Sequence, residues 1–357
     1  MNDSTDLSRK EPQNTQTAPP NQAQFAPGRP SFLHKIFIGA DGFRAGWSLS
    51  IFIVLLVALL KGVGAIVKLM HLFPKGGGSD TALTPSFGFF AEFLPFLATL
   101  LVTWIMSKIE KRPNSVYGLG GRRKLPNFFS GLAWGVTCLS LLVLTLWRTG
   151  LLVIDTRLLF GVGVLRYGAI WLLIFVLVGL LEEYLTRGYV LFTLSRGLAG
   201  TYSRLFKTRH SKAFGFWTSA VVLSVLFGFG HGNNPGESPI GLLSAGLAGL
   251  VFCLSLWRTG SLWWAIGFHT AWDWAQSFLY GVADSGLIVQ HHLLATHPLG
   301  KPLLSGGSTG PEGSVFVLPV LALVSVIIIF TLPRTSYGDS PLVQESKDLE
   351  TALSTPA

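Results

Sequence analysis

"YGAIWLLIFVLVGLLEEYLTRG", residues 167–188, decides the fold. It opens with fifteen residues that carry no charge. A membrane-spanning helix needs roughly 20 mostly apolar residues, so the run reads as one. Glu182, Glu183 and Arg187 then appear where hydrocarbon is expected. A charge at the bilayer centre costs at least ~2.5 kcal/mol on insertion scales, so three charges need partners or a purpose. Glu183 and Arg187 are four residues apart, acid first, which places them on one helix face as a structural ion pair. Glu182 points ~100° away and is left as a candidate functional carboxylate. The competing reading is a snorkelling cluster at a helix end.

The rest of the chain extends the membrane reading. Of 357 residues 49% are hydrophobic and only 13% are charged, with a mean hydropathy of +0.50; a soluble domain carries about 25% charged residues. The net charge of +9 does not signal a nucleic-acid partner. The basic residues form no stripe with interleaved aromatics and sit at the ends of apolar runs. Eight such runs are predicted to span, at 47–73, 87–107, 128–147, 167–192, 214–230, 240–256, 262–280 and 315–332. The fold class is therefore all-α, a polytopic membrane helix bundle of about eight transmembrane helices. Residues 1–36 and 336–357 read as disordered polar tails around a membrane domain at 37–335. No internal repeat is evident.

Six Lys/Arg lie between the second and third runs, and six more between Arg187 and Lys212. By the positive-inside rule these loops and both termini are cytoplasmic, in a plasma (inner) membrane. Cys138 and Cys253 lie in apolar runs and make neither a CxxC motif nor a disulfide framework. His291, His292 and His297, in the loop after the seventh run, read as solvated.

Two further polar insertions stand beside Glu182. "FWTSAVVLSVLFGFGHGNNPG" ends the fifth run on His231, and "SLWWAIGFHTAWDW" carries His269 and Asp273 four apart. A lone His near a helix end is usually interfacial, and a His–Asp pair is often a satisfied buried hydrogen bond. Three insertions in three helices have one shared explanation, a polar cleft between them. Glu182 with His231 is suited to deprotonate water. A second imidazole suits an oxyanion, and Asp273 suits the fixing of the His269 tautomer. The same four side chains are also a donor set for a divalent metal such as Zn²⁺ with an open position for water, although no HExxH is present.

"EEYLTR", "FGFGH" and "HTAWD" resemble the EExxxR, FxxxH and HxxxN/D motifs of the CPBP group of intramembrane proteases, also called the CAAX prenyl protease type 2 or Abi family. The resemblance covers about 168–281, the catalytic core, with "EKRPNSVYGLG" a weaker match. It implies an eight-helix core with a cavity open to the cytoplasm, and an endopeptidase acting on a membrane-associated or lipidated peptide. It implies that Glu182 and His231 activate water and that His269 with Asp273 stabilises the oxyanion. Asp273 stands where the best-studied members have Asn. An ionised Asp repels an oxyanion, so this one is protonated, orients His269, or helps hold a metal. The implied partners are the bilayer and a peptide or lipidated protein.

The alternatives are a non-enzymatic scaffold or bacteriocin self-immunity protein, and, further off, an ion-coupled transporter, which calls for inverted repeats. One geometric condition follows. Glu182 and His231 meet only if the fourth helix is long, and apolar character does run past Arg187 through "GYVLFTL". A broken backbone at "GHGNNPG" is tolerated where it lines a cavity.

Overall fold

Apolar runs become helices here because a backbone in hydrocarbon must satisfy its own polar groups. The structure, a computed structural model, describes residues 36–39, 42–69, 82–121 and 123–333. The tail expected at 1–36, all but its last residue, and that at 336–357 lie outside the described residues, as do residues 70–73 of the first predicted span. A two-residue pair, β1 (Ile38–Gly39) with β2 (Gly42–Phe43), precedes α1 (Ala45–Leu69). Then come α2 (Pro85–Ile109), α3 (Lys124–Arg148) and α4 (Val162–Glu183). A π-helical turn, Tyr184–Val190, joins α4 to α5 (Leu191–Phe206) without a break. There follow α6 (Ser211–Gly230), α7 (Pro239–Thr259) and α8 (Trp263–Trp274), the last prolonged by a second π turn, Ala275–Leu279; α9 (Val317–Thr331) closes the bundle. The sequence places the caps. Thr84 accepts from the Phe87 amide and Ser238 from the Gly241 amide, each ahead of a proline at the first helical position.

Among the described residues six helical elements are long and apolar enough to cross a membrane: α1, α2, α3, the 45-residue run Val162–Phe206, α6 with its 3₁₀ end, and α7. The other two predicted spans are helical but shorter, as α8 with its π turn and as the 15-residue α9. The eight expected segments are thus eight helical elements of one bundle. The fourth is long, as the apolar character past Arg187 led one to expect. Large apolar side chains such as Val54, Leu226 and Phe229 face outward, which suits lipid.

The tightest seam joins α3 to α8. Gly131 and Gly135, a GxxxG pair on α3, face Gly267 of α8. A Cβ on Gly131 would lie 2.2 Å from the Trp264 carbonyl, and one on Gly267 would lie 2.1 Å from that of Phe128. Small residues let membrane helices approach to backbone contact, where dispersion takes the place of the hydrophobic effect. Because α8 carries His269 and Asp273, this seam fixes their height in the bundle. Gly135→Leu is expected to destabilise the protein by about 1–3 kcal/mol through overpacking, read by thermal unfolding in detergent; an unchanged midpoint would contradict the packing.

The bundle has two distinct ends. At one, Leu262 N donates to Gly118 O (2.9 Å), Ser261 Oγ to Gly120 O (3.1 Å) and Trp263 Nε1 to Leu119 O (3.1 Å), tying the α2–α3 and α7–α8 connections together. At the other, β3 (Leu152–Arg157) pairs antiparallel with β4 (Leu294–Pro298). There Leu83 N donates to Ile288 O (2.7 Å), and Ser308 Oγ donates to Gly236 O (2.7 Å). The segment between the second π turn and α9 therefore folds back over this end, held to the chain before α2, to the α3–α4 connection and to the α6–α7 turn.

Candidate active site

The site is assembled from helix segments that no local sequence signal connects. Glu182 is the last residue but one of α4, His231 follows the last residue of α6, and His269 and Asp273 lie on α8. They meet because α6 returns alongside α5. The continuous run through Val162–Phe206 holds Glu182 level with the far end of α6, where the backbone breaks into a 3₁₀ turn, His231–Asn233. All four line one cavity of about 200 Å³, closed by apolar walls that include Trp171, Phe175 and Phe252. Both π turns begin within two residues of a cavity carboxylate, Glu182 or Asp273. Such bulges often mark functional sites, where they re-aim side chains without ending the helix.

Three residues that the sequence reading did not single out line the same cavity: Glu92 of α2, and Asp284 and Glu312 of the segment that folds back over it. Among the described residues no Lys or Arg lines it. Glu92 had a usable signal, a solitary acid in the apolar run "FFAEFLPF". Asp284 and Glu312 had none, because their position depends on the path of a long polar loop. The loop histidines do not join the cavity. His291 stacks on Tyr167 with centroids 4.1 Å apart, His292 Nδ1 donates to Val289 O (2.7 Å), and His297 meets Asp155 at 2.8 Å.

Glu183 and Arg187 form the expected pair, with Arg187 Nη1 2.5 Å from Glu183 Oε1, both side chains essentially inaccessible. Arg187 also donates through Nε to Gly249 O (3.3 Å), and it lies 4.5 Å from the Phe227 ring centroid and 5.3 Å from that of Phe252. Gly249 makes room for it: a Cβ there would lie 2.8 Å from Arg187 Nη2. Phe227 in turn packs edge-on against His231, and Phe252 stacks on His269. The ion pair is thus the floor on which both imidazoles rest.

Hydrogen bonds settle which ring nitrogens face the cavity. His231 Nδ1 lies 2.8 Å from the Phe227 carbonyl oxygen. A carbonyl only accepts, so Nδ1 carries the proton, and Nε2 of the neutral ring keeps its lone pair. His269 Nδ1 lies 3.0 Å from Glu183 Oε1, which leaves Nε2 towards Glu182 and Asp273. That nitrogen is 3.4 Å from Asp273 Oδ2 and 3.8 Å from Glu182 Oε2. Glu183 is therefore the hydrogen-bond partner of His269 Nδ1, a contact that the sequence reading had not given it. Asp273 lies beside Nε2, on the same helix one turn on. Glu182 keeps a partly accessible side chain, 31% exposed, and its Oε2 has no hydrogen-bond partner among the described residues. A metal needs three or more donors converging on one point. No group of His, Cys, Asp or Glu among the described residues is so placed.

Asp284 accepts from Ser277 Oγ (3.0 Å), and Glu312 accepts from the Ser285 amide and hydroxyl. Burial, reinforced by the carboxylates of Asp273 and Glu312, pushes the Asp284 carboxyl well above its ordinary range. Burial raises Glu312 as well. A carboxyl that holds its proton more tightly when folded adds stability below its unfolded pKa. That stability is lost as pH rises through the folded value. Thermal stability in detergent is expected to fall as pH rises from about 4, the ordinary Asp value, towards neutrality and beyond. Asp284→Asn is expected to flatten that fall; an unaltered pH profile would contradict the assignment.

A second, more open cleft of about 410 Å³ shares Glu182, Phe227, His231 and Asn234 with the first. It continues between the first π turn and α6 past Thr186, Val190, Leu223 and Leu226. Leu226 is outward-facing, so this cleft leads from the carboxylate towards the lipid.

Residues 165–275 match a protein-family model described as Type II CAAX prenyl endopeptidase Rce1-like. The matched span holds Glu182, Glu183, Arg187, His231, His269 and Asp273. No curated protein and no solved structure matches the chain. Over these residues the chain is similar to an Rce1-like type II CAAX prenyl endopeptidase domain, and the similarity supports a membrane protease.

Proposed function

We propose that the protein is an intramembrane endopeptidase that hydrolyses a peptide bond of a membrane-associated or lipidated peptide in the cavity between α4, α6 and α8. One observation carries this reading: Glu182, His231, His269 and Asp273, drawn from three helical segments, line a single cavity. Solitary polar residues in apolar helices have no reason to converge unless the site uses them.

Water held between Glu182 and the His231 Nε2 lone pair gives up a proton as its oxygen attacks the scissile carbonyl. The new C–O bond forms while the carbonyl electron pair moves onto oxygen. His269, with Nδ1 held by Glu183, presents Nε2–H to that oxyanion. Asp273 offsets the imidazolium charge, which is how an Asp is accommodated at this position. Collapse of the tetrahedral intermediate breaks the C–N bond, and the proton taken from water passes to the leaving amine. The products are a new carboxyl terminus and a new amino terminus. Walls such as Trp171, Phe175 and Phe252 keep bulk water away, so each of these interactions is worth more than in solvent. The cleft between the π turn and α6 gives an apolar chain a path from the lipid.

The experiment is incubation of purified protein in lipid nanodiscs with a library of lipidated peptides, products being identified by mass spectrometry with and without chelator. Cleavage that survives chelation is the expected result. A purified, folded protein that cleaves no member of such a library would count against a hydrolase and for a scaffold or immunity protein.

A further inference from the structure

The stretch "EKRPNSVYGLG", residues 110–120, follows α2 and lines no part of the cavity, yet it touches both of the helical segments between which His269 and Glu182 meet. Glu110 directly follows the last residue of α2, and its side chain is almost inaccessible. A buried acid needs donors. The Tyr189 hydroxyl donates to Glu110 Oε1 (2.6 Å) and the Tyr117 hydroxyl to Glu110 Oε2 (3.4 Å), with Arg112 Nε 3.9 Å from the same oxygen. Tyr189 belongs to the first π turn and stacks on Phe52 of α1, with centroids 4.2 Å apart. Gly188 lets the stretch approach, because a Cβ there would lie 2.8 Å from the Tyr117 carbonyl oxygen. The other half of the stretch holds the start of α8, where Gly118 O accepts from Leu262 N and Leu119 O from Trp263 Nε1. Gly118 has a φ of 90°, and a Cβ on it would lie 2.6 Å from the Leu262 side chain.

Nearer the cavity α4 and α8 pack directly: a Cβ on Gly179 would lie 3.1 Å from the Ile266 carbonyl oxygen. Beyond the start of α8 the α4–α5 run continues without it, and residues 110–120 bridge the two. Tyr189 comes seven residues after Glu182, and Leu262 seven before His269, so each attachment lies about two helical turns from a group of the site. We propose that Glu110 and Tyr189 are positioning residues. Their hydrogen bond makes residues 110–120 a brace that fixes Glu182 on one side of the cavity against His269 on the other. This rests on the hydrolase reading. At 2.6 Å the Tyr189 bond is as short as charge-assisted hydrogen bonds are. It holds the far end of a π turn, a departure from regular helix that by itself leaves the direction of the run less fixed. Neither residue lines the cavity, so any effect on the reaction passes through the groups they place.

Tyr189→Phe removes one hydroxyl and keeps the ring and its stack on Phe52. It is expected to lower kcat about tenfold, less than the ~10²-fold that a 1 Å misplacement can cost, with KM near the wild-type value. In a Glu182→Gln background the same change is expected to cost nothing further, because the carboxylate it places is gone. A loss that came from instability alone would appear equally in both backgrounds. Glu110→Gln still accepts from the tyrosine hydroxyl and is expected to keep more activity than Glu110→Ala. Wild-type kcat in Tyr189→Phe, or an equal further loss in both backgrounds, overturns the proposal. Amide hydrogen exchange in lipid nanodiscs reads the brace without requiring activity. Tyr189→Phe is expected to speed exchange at residues 184–190 and at 261–266 together. Faster exchange at the first stretch alone, or at neither, overturns the proposal. If the wild type cleaves no peptide, the hydrolase reading fails, while the exchange still decides whether the brace joins the two sides.

Discussion

Arg187→Met is expected to destabilise the protein by about 3–5 kcal/mol, the cost of leaving one member of a buried ion pair unpaired. Among the described residues Arg187 is the partner that neutralises Glu183 with a permanent charge, at 2.5 Å and with almost no solvent access. Methionine keeps the volume and the contact with Phe227 and Phe252, so what is lost is the charge and the hydrogen bonds to Glu183 and Gly249. Glu183 Oε1 then has His269 Nδ1 as its remaining partner. The loss is read as a lower unfolding midpoint in detergent. The double change Glu183→Gln with Arg187→Met removes the stranded charge and is expected to recover much of the stability but none of the activity, because His269 loses its carboxylate. A single variant within about 0.5 kcal/mol of wild type, the range of neutral surface changes, would show that the pair does not hold the site.

Glu182→Gln is expected to lower kcat/KM for peptide cleavage by about 10³-fold, within the span measured for general acid–base groups, while leaving the fold intact. The amide is nearly isosteric with the carboxylate and accepts a hydrogen bond but takes no proton from water. Stability changes little because Glu182 lies at the cavity surface and its Oε2 has no hydrogen-bond partner among the described residues. The contrast with Arg187→Met separates two kinds of intramembrane charge five residues apart: one pairs inside the bundle, the other faces the cavity. Wild-type cleavage by the Gln variant would remove Glu182 from the chemistry.

Much of this was legible before any coordinates. A run of hydrocarbon has few options in a bilayer, so the helical bundle follows from composition and segment length. The i,i+4 spacing of Glu183 and Arg187 gave their pair, because helix geometry alone fixes it. The length of the fourth helix followed from the need to bring Glu182 to His231. What could not be read depends on tertiary placement. That Glu183 also meets His269 requires knowing how α8 rotates against α4, which is set by the Gly131, Gly135 and Gly267 seam with α3. Asp284 and Glu312 reach the cavity only because β4 pairs with β3 and the covering segment folds back, and the sequence of a polar loop carries no periodicity from which to infer that. The shortness of α8 and α9 was missed because apolar content marks a span and does not fix where hydrogen bonding turns to a π turn or stops.

The most direct measurement of the site is a double-mutant cycle on kcat/KM with Glu182→Gln, His231→Ala and the two combined. Groups that act on one water molecule fail together, so the double variant is expected to be little worse than the poorer single one. Losses that multiply would mean that the two side chains act independently, and the shared-water site would have to be abandoned.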